Sequence, residues 1–191
     1  MNEPIYETVV TTLGREGRVH VAPMGVRYRG TRVVLMPFKP STTLDNILAG
    51  RCAVLNLVVD TRVFAGCVTG RRRDWPTLPV AHVEGRRLEA ALGHVELKLA
   101  SVEDHAQRPV LELERVHEAQ HAPFIGLNRA QAAVVEGAVL VSRLRLLPPE
   151  KIDAEMAYLQ IAIDKTAAPE EHEAWRWMQD AVAAHRERGA A

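Results

Sequence analysis

The sequence predicts a mainly β fold of the α+β class. It has a strand-rich body over about the first 120 residues, a crossing helix, and a helical hairpin at the C-terminal end. Three observations point there. Short β-branched runs separated by glycine-bearing turns fill the N-terminal half. The apolar spacing changes to a helical period at Asn128. Two later segments each open with proline, and the last closes with basic residues. The body with its crossing helix occupies residues 1–147, and the hairpin 148–191.

The elements follow in order. ETVVTTL (7–13) is a β-branched strand, GREG (14–17) a turn, and RVHVAPMGVRY (18–28) a second strand. Arg29-Gly30 turns the chain into a third, TRVVLMPF (31–38). STTLDNILAG (41–50) then sets Leu44, Ile47 and Leu48 at helical spacing, with Ser41 or Thr42 as cap and Gly50 as terminator. CAVLNLVVD (52–60) is a buried strand holding Cys52 as a small core residue, and 61–69 a short helix. Gly70–Gly93 is a long loop with a short strand near its end. HVELKLASVE (94–103) and PVLELERVHE (109–118) alternate as a hairpin turned at His105–Arg108. From Asn128, NRAQAAVVEGAVLVSRL is helical and places Ala132, Val135, Val139 and Ser142 on one face. Residues 148–164 and 169–188 are the last two helices. In the latter, Trp175 and Met178 share a face that packs on the barrel.

Composition narrows the function. Lys+Arg and Asp+Glu are equal at 24 each, which argues against nucleic-acid binding through a broad basic surface, Arg71–Arg73 being a local exception. No segment approaches the ~20 apolar residues of a membrane span, and MNEPIYETVV lacks the plan of a signal peptide. A cytoplasmic protein with reduced thiols is expected. Cys52 and Cys67 are too few for a four-thiolate zinc site.

HEAQH (117–121) matches the HExxH zinc-protease signature, which works only on a helix that stacks its two imidazoles a turn apart. Here VLELERV before it alternates as a strand, and Pro123 follows at once. The expectation is a strand end with two polar histidines and no metal. His94, His105, His172 and His185 are expected at the surface. A zinc metalloprotease is a remote alternative.

PFKPSTTLDNI (37–47) is a better lead. It leaves a strand, passes Lys39, and enters a helix through Ser41, Thr42 and Thr43. A helix N-terminus, three hydroxyls and a lysine suit a phosphate, although an ordinary capped helix would leave the same trace. No GxxxxGK[ST] and no GxGxxG after a strand is present, so the usual nucleotide loops are excluded.

Together YETVVTT (6–12), GRVHVAPMGV (17–26), MPFKPSTTLDNI (36–47), AVLNL (53–57) and FIGLNRAQAAVVEGAVLVSRL (124–144) resemble the FMN-binding split β-barrel proteins, the flavin reductases and pyridoxamine-phosphate oxidase-like proteins. The closest resemblance is to an uncharacterised family within that group, predicted to bind FMN and carrying a C-terminal helical segment. The resemblance implies a split β-barrel in which Lys39, Ser41, Thr42 and Thr43 hold the FMN phosphate. His20, Ala22, Pro23, Met24 and Gly25 would line the flavin ring, with backbone N–H groups near Met24 and Gly25 at its edge. Thr11 and Thr12 would reach the ribityl chain or ring. Asn56, polar in an apolar strand, would bond either the flavin or neighbouring backbone. It further implies a homodimer with flavin at the interface, where Phe124 and Asn128 form a second wall, Asn128 also capping its helix.

The implied function is a flavin-dependent oxidoreductase acting on a small molecule, with NAD(P)H as donor. A non-catalytic FMN-binding module is the alternative. No acid, base or nucleophile is evident. His20 is the nearest candidate, and the 70–93 loop with Arg71, Arg72, Arg73 and Trp75 is a candidate substrate cover.

Overall fold

The computed structural model describes residues 3–190. Its strands are β1 (Tyr6–Leu13), β2 (Val19–Arg29), β3 (Arg32–Leu35), β4 (Cys52–Leu57), β5 (Thr77–Pro79), β6 (Arg86–Leu88), β7 (Gly93–Glu103) and β8 (Val110–Gln120). Its helices are α1 (Thr42–Gly50), α2 (Arg62–Thr69), α3 (Arg129–Ser142), α4 (Pro149–Thr166) and α5 (Pro169–Ala190). Contacts gather them into two units. The first holds the residues up to Val58 together with Asp74–Phe124. The second holds Val59–Arg73 and the residues from Ile125 onward.

In the first unit six antiparallel strands close in the order β1-β2-β3-β8-β7-β4, the split β-barrel that the resemblance implied. Alternation puts one side of each strand inside, where Val10, Val26, Leu35, Leu55, Leu97 and Leu111 meet. Helix α1 adds Leu44 and Ile47 to that core, while Leu48 is exposed, so the apolar face of α1 is narrower than expected. Ser41 caps α1, its Oγ accepting from Leu44 N at 3.3 Å. Gly50 is the last helical residue, and Arg51 takes the left-handed turn at φ 57°. The Arg51 N–H to Ile47 O and guanidinium to Leu99 O bonds hold it there. Cys52 lies at the margin, half-buried, with Sγ on Glu84 O, and is not a core residue.

Two irregularities shape this unit. Among the described residues only Val26–Arg29 of β2 pair with β3, and Val19–Gly25 has β1 as its one paired strand. On β8, Arg115 opposes Leu97 and His117 opposes Glu96, which leaves Val116 as an extra residue, a β-bulge. Leu111 and Leu113 point inward, so strict alternation would turn His117 inward too. The bulge reverses the parity and sends His117 outward with Glu96.

The segment expected as a loop over 70–93 contains a second small sheet, β5 with β6. Three buried polar side chains fasten it to the outer face of the barrel. Thr11 Oγ1 donates to Arg86 O at 2.5 Å, Leu88 N donates to Asn56 Oδ1 at 2.7 Å, and His82 N and Val83 N donate to Glu96 Oε2 at 2.7 and 2.8 Å.

The second unit is helical. Helix α3 buries Ala130, Ala133, Val134, Gly137, Ala138 and Val141, so the predicted face of Ala132, Val135, Val139 and Ser142 is the outer one. Small residues decide this. A Cβ at Gly137 would lie 2.8 Å from Trp175 Cζ3 and 3.0 Å from Met178 Cε, so the missing side chain admits α5. Trp175 and Met178 are buried, as expected, but against α3, and Trp175 Nε1 donates to Gln160 Oε1 on α4 at 2.6 Å. Helix α3, assigned above to residues 1–147, packs with α2, α4 and α5.

Candidate functional site

The predicted phosphate residues sit together at the start of α1. Asp104, in the β7–β8 turn, pairs with the Lys39 ammonium, which holds the Asp104 carboxyl below the usual carboxylate range. The same turn fixes the loop: Arg108 donates to Met36 O and stacks over the Phe38 ring at 4.4 Å, and Lys39 N donates to Gln107 O. Ser41 Oγ and O already accept from Leu44 N and Asp45 N. The first-turn N–H groups of Thr42 and Thr43 are left for a ligand. The Thr42 side chain is exposed, whereas Thr43 is buried and can offer only its backbone to a surface anion.

The strand residues divide between two faces. Thr12 pairs with His20, Val10 with Ala22 and Thr8 with Met24, so these lie on the inner side of β1 and β2. Thr12 Oγ1 accepts from Asn46 Nδ2 at 3.0 Å, which ties this strand end to α1. Ala22, Pro23, Met24 and Gly25 are half-buried on the part of β2 that β3 does not pair. A Cβ on Gly25 would fall 2.7 Å from Ile5 Cγ2, so the missing side chain makes room for Ile5.

Thr11 and Asn56 lie on the opposite face, beneath β6. Asn56 is fully buried. Its Nδ2 contacts Val9 O, Thr11 Oγ1 and Val54 O at 3.1 to 3.2 Å, and its Oδ1 holds Leu88 N. Of the two partners weighed for Asn56, this structure has the neighbouring backbone. Phe124 ends the first unit with its ring exposed. Asn128 opens α3 in the second unit. Its Oδ1 caps Ala130 N and Gln131 N and its Nδ2 donates to Thr166 O, so the amide is committed within the helices. Arg71–Arg73 and Trp75 fall in different units.

Sequence reasoning missed a histidine group on the outer face of the barrel. HEAQH is extended, as expected: His117 to Gln120 complete β8. His94, expected at the surface, is 6% exposed. Burial lowers its pKa, against the raising effect of Glu96, because the charged ring is desolvated. Its Nδ1 pairs with His121 Nε2 at 2.8 Å. Burial and the Arg87 charge lower the His121 pKa as well. Glu96 is 1% exposed. Burial would raise its pKa, but the backbone N–H groups of His82, Val83 and Ala81 lower it below the ordinary value. The alternation HVELK placed His94, Glu96 and Lys98 on one face, where the segment at 81–83 covers Glu96 and His121 stacks on His94.

Two adjoining family models span most of the chain, the DUF447 N-terminal domain over residues 6–122 and its companion over 128–180, both described as protein of unknown function.

The chain belongs to the DUF447 family.

No curated protein matches this DUF447 chain. Among solved structures it is similar to an FMN-bound DUF447 protein from Methanosarcina mazei, at 22% identity and TM-score 0.79, covering 94% of this chain and 96% of that one. It is also similar to the 2-nitrobenzoate 2-nitroreductase of Pseudomonas fluorescens, at 25% identity and TM-score 0.53, over 62% of this chain and 65% of that one. A third likeness is the NADH:FAD oxidoreductase of Streptomyces globisporus C-1027, at 10% identity and TM-score 0.51, over 60% and 70%. Among the described residues of this DUF447 protein no helix is long and apolar enough to cross a membrane.

Proposed function

We propose that this DUF447 protein binds FMN and transfers electrons from a reduced nicotinamide cofactor to a small-molecule acceptor. The correspondence along nearly the whole chain with an FMN-bound member of the same family supports the FMN-binding part of this reading. The residues fit such a ligand. Lys39 and the Thr42 and Thr43 N–H groups suit its phosphate, with Asp104 yielding the lysine. The stretch of β2 from Ala22 to Gly25, which β3 does not pair, offers backbone to a planar ring. Bound FMN supplies hydride and electron transfer, and the chain supplies position and electrostatics.

The same reading makes the active form a homodimer, with Phe124 of a second copy against the flavin. The run Phe124, Ile125 and Leu127 supports it, because these side chains are 56%, 95% and 96% exposed in one chain.

Titration with FMN and with riboflavin, followed by flavin fluorescence, tests the assignment. FMN should bind well above riboflavin, and Lys39→Ala with Thr42→Ala should narrow that gap, the backbone N–H groups of Thr42 and Thr43 keeping part of it. Equal binding of FMN by wild type and the double variant removes the phosphate site. Anaerobic NADH or NADPH should bleach the bound flavin, and an acceptor should restore it. Flavin that binds but is never reduced leaves a binding module.

A further inference from the structure

We propose that His82, Glu96 and His117 form a site for one divalent transition-metal ion of the zinc class, on the outer face of the barrel and independent of FMN.

The ligand atoms of these three residues lie within 4.8 Å of one another. Two imidazoles and a carboxylate are a donor set that zinc accepts, leaving a position for water. Three separate features of the backbone bring them together. Glu96 and His117 are cross-strand partners on β7 and β8. The bulge at Val116 turns His117 outward, toward Glu96 and away from the core. His82 comes from the segment between β5 and β6, and its ring stacks on His117 with centroids 4.1 Å apart. The Glu96 carboxylate fastens that segment. Oε2 accepts from His82 N and Val83 N at 2.7 and 2.8 Å, and Oε1 is approached by Ala81 N at 3.4 Å. Backbone N–H groups thus hold the carboxylate from one side and leave lone pairs, chiefly on Oε1, for a cation.

His94 lies beside this group and steadies Glu96. It is nine-tenths buried, and its Nε2 has no hydrogen-bond partner among the described residues. That atom lies 3.5 Å from Glu96 Oε1, while Nδ1 is occupied by His121. A carboxylate beside Nε2 favours the tautomer with its proton there, pointing at Glu96, and Nδ1 then accepts from His121.

This gives HEAQH a different role from the one its letters suggest. On a strand, residues four apart lie about 13 Å from each other. His117 and His121 therefore serve different partners: His117 joins the metal group and His121 holds His94. Glu118 is exposed and outside both.

The test uses the full chain, untagged, dialysed against EDTA and without FMN, titrated with Zn²⁺ by calorimetry. About one ion per chain should bind. His117→Ala and His82→Ala should each weaken it at least tenfold, and His105→Ala, at an exposed site elsewhere, should not. His82 is exposed, so His82→Ala should keep the wild-type circular dichroism. Co²⁺ in place of Zn²⁺ should show visible absorption that His82→Ala loses. No saturable binding by wild type overturns the site, as does unchanged affinity in folded His82→Ala.

Discussion

Replacing Asn56 tests whether it holds the protein or a ligand. In Asn56→Ala, Leu88 N–H loses its acceptor in a buried place, and an unsatisfied buried donor costs about 1–3 kcal/mol. The carbonyls of Val9 and Val54 and the Thr11 hydroxyl lose a shared donor, and the amide leaves a small void. The sum is about 3 kcal/mol. For a chain of this length that lowers Tm by roughly 6–12 °C. Asn56→Asp should cost more still, because a carboxylate oxygen then faces two carbonyls where Nδ2 donated. Urea unfolding followed by far-ultraviolet circular dichroism measures both, and exchange of the Leu88 amide reports the local loss. FMN affinity of the folded Asn56→Ala protein should change less than about threefold, a shift worth under 1 kcal/mol. The reasoning fails if both variants unfold within about 0.5 kcal/mol of wild type, or if stability holds while FMN binding collapses.

Acid should destabilise the first unit in two steps. The His94 pKa is lowered in the folded state, so stability should begin to fall as pH drops below the ordinary 6.5, where the unfolded chain alone takes the proton. The Glu96 pKa is also lowered, so its contribution, present above the ordinary 4.5, should be lost as pH falls further. His94→Gln should shrink the first step in urea titrations run at several pH values, and His121, whose pKa is also lowered, supplies the rest. Gly137→Val should destabilise the helical unit by about 2 kcal/mol or more through overpacking on Trp175, seen as a lower urea midpoint by tryptophan fluorescence. Wild-type stability there would mean α5 has room to shift. Gly25→Ala should cost the fold under about 1 kcal/mol, because the exposed Ile5 can swing aside, yet it should weaken FMN binding. Asp104→Asn should tighten FMN binding by freeing Lys39, and an unchanged titration would count against Lys39 as a phosphate ligand.

Much of the fold was legible from period alone. Alternation marked β1, β2, β7 and β8, and Ser41 and Asn128 marked the helix starts, because local sterics and backbone hydrogen bonding decide those features. What escaped was set by tertiary contact. Nothing local shows that α3 turns its small residues inward, because Val135 and Val139 are as apolar as Val134 and Val141. The decision rests with Trp175 and Met178, far along the chain. Arg51 could not be foreseen as the left-handed residue, since Gly50 beside it carries the usual signal. Of the candidate site, the α1 start and the β2 edge could be read. The division of Thr11 and Asn56 from Thr12 and His20 required the register. The histidine group required a bulge that a period of two conceals.

The route of the chain bears on where it can be divided. It leaves the barrel unit after Val58, supplies α2 to the helical unit, and returns at Asp74 before leaving for good after Phe124. The family boundary between residues 122 and 128 therefore assigns α2 to one piece and its partners α3 and α5 to the other. An N-terminal fragment ending there would display Val63, Phe64 and Ala65 with nothing to cover them, and the C-terminal fragment would lack a helix. Neither half is a self-sufficient module. Mixed together, the halves should complement each other, with the donated α2 as the latch.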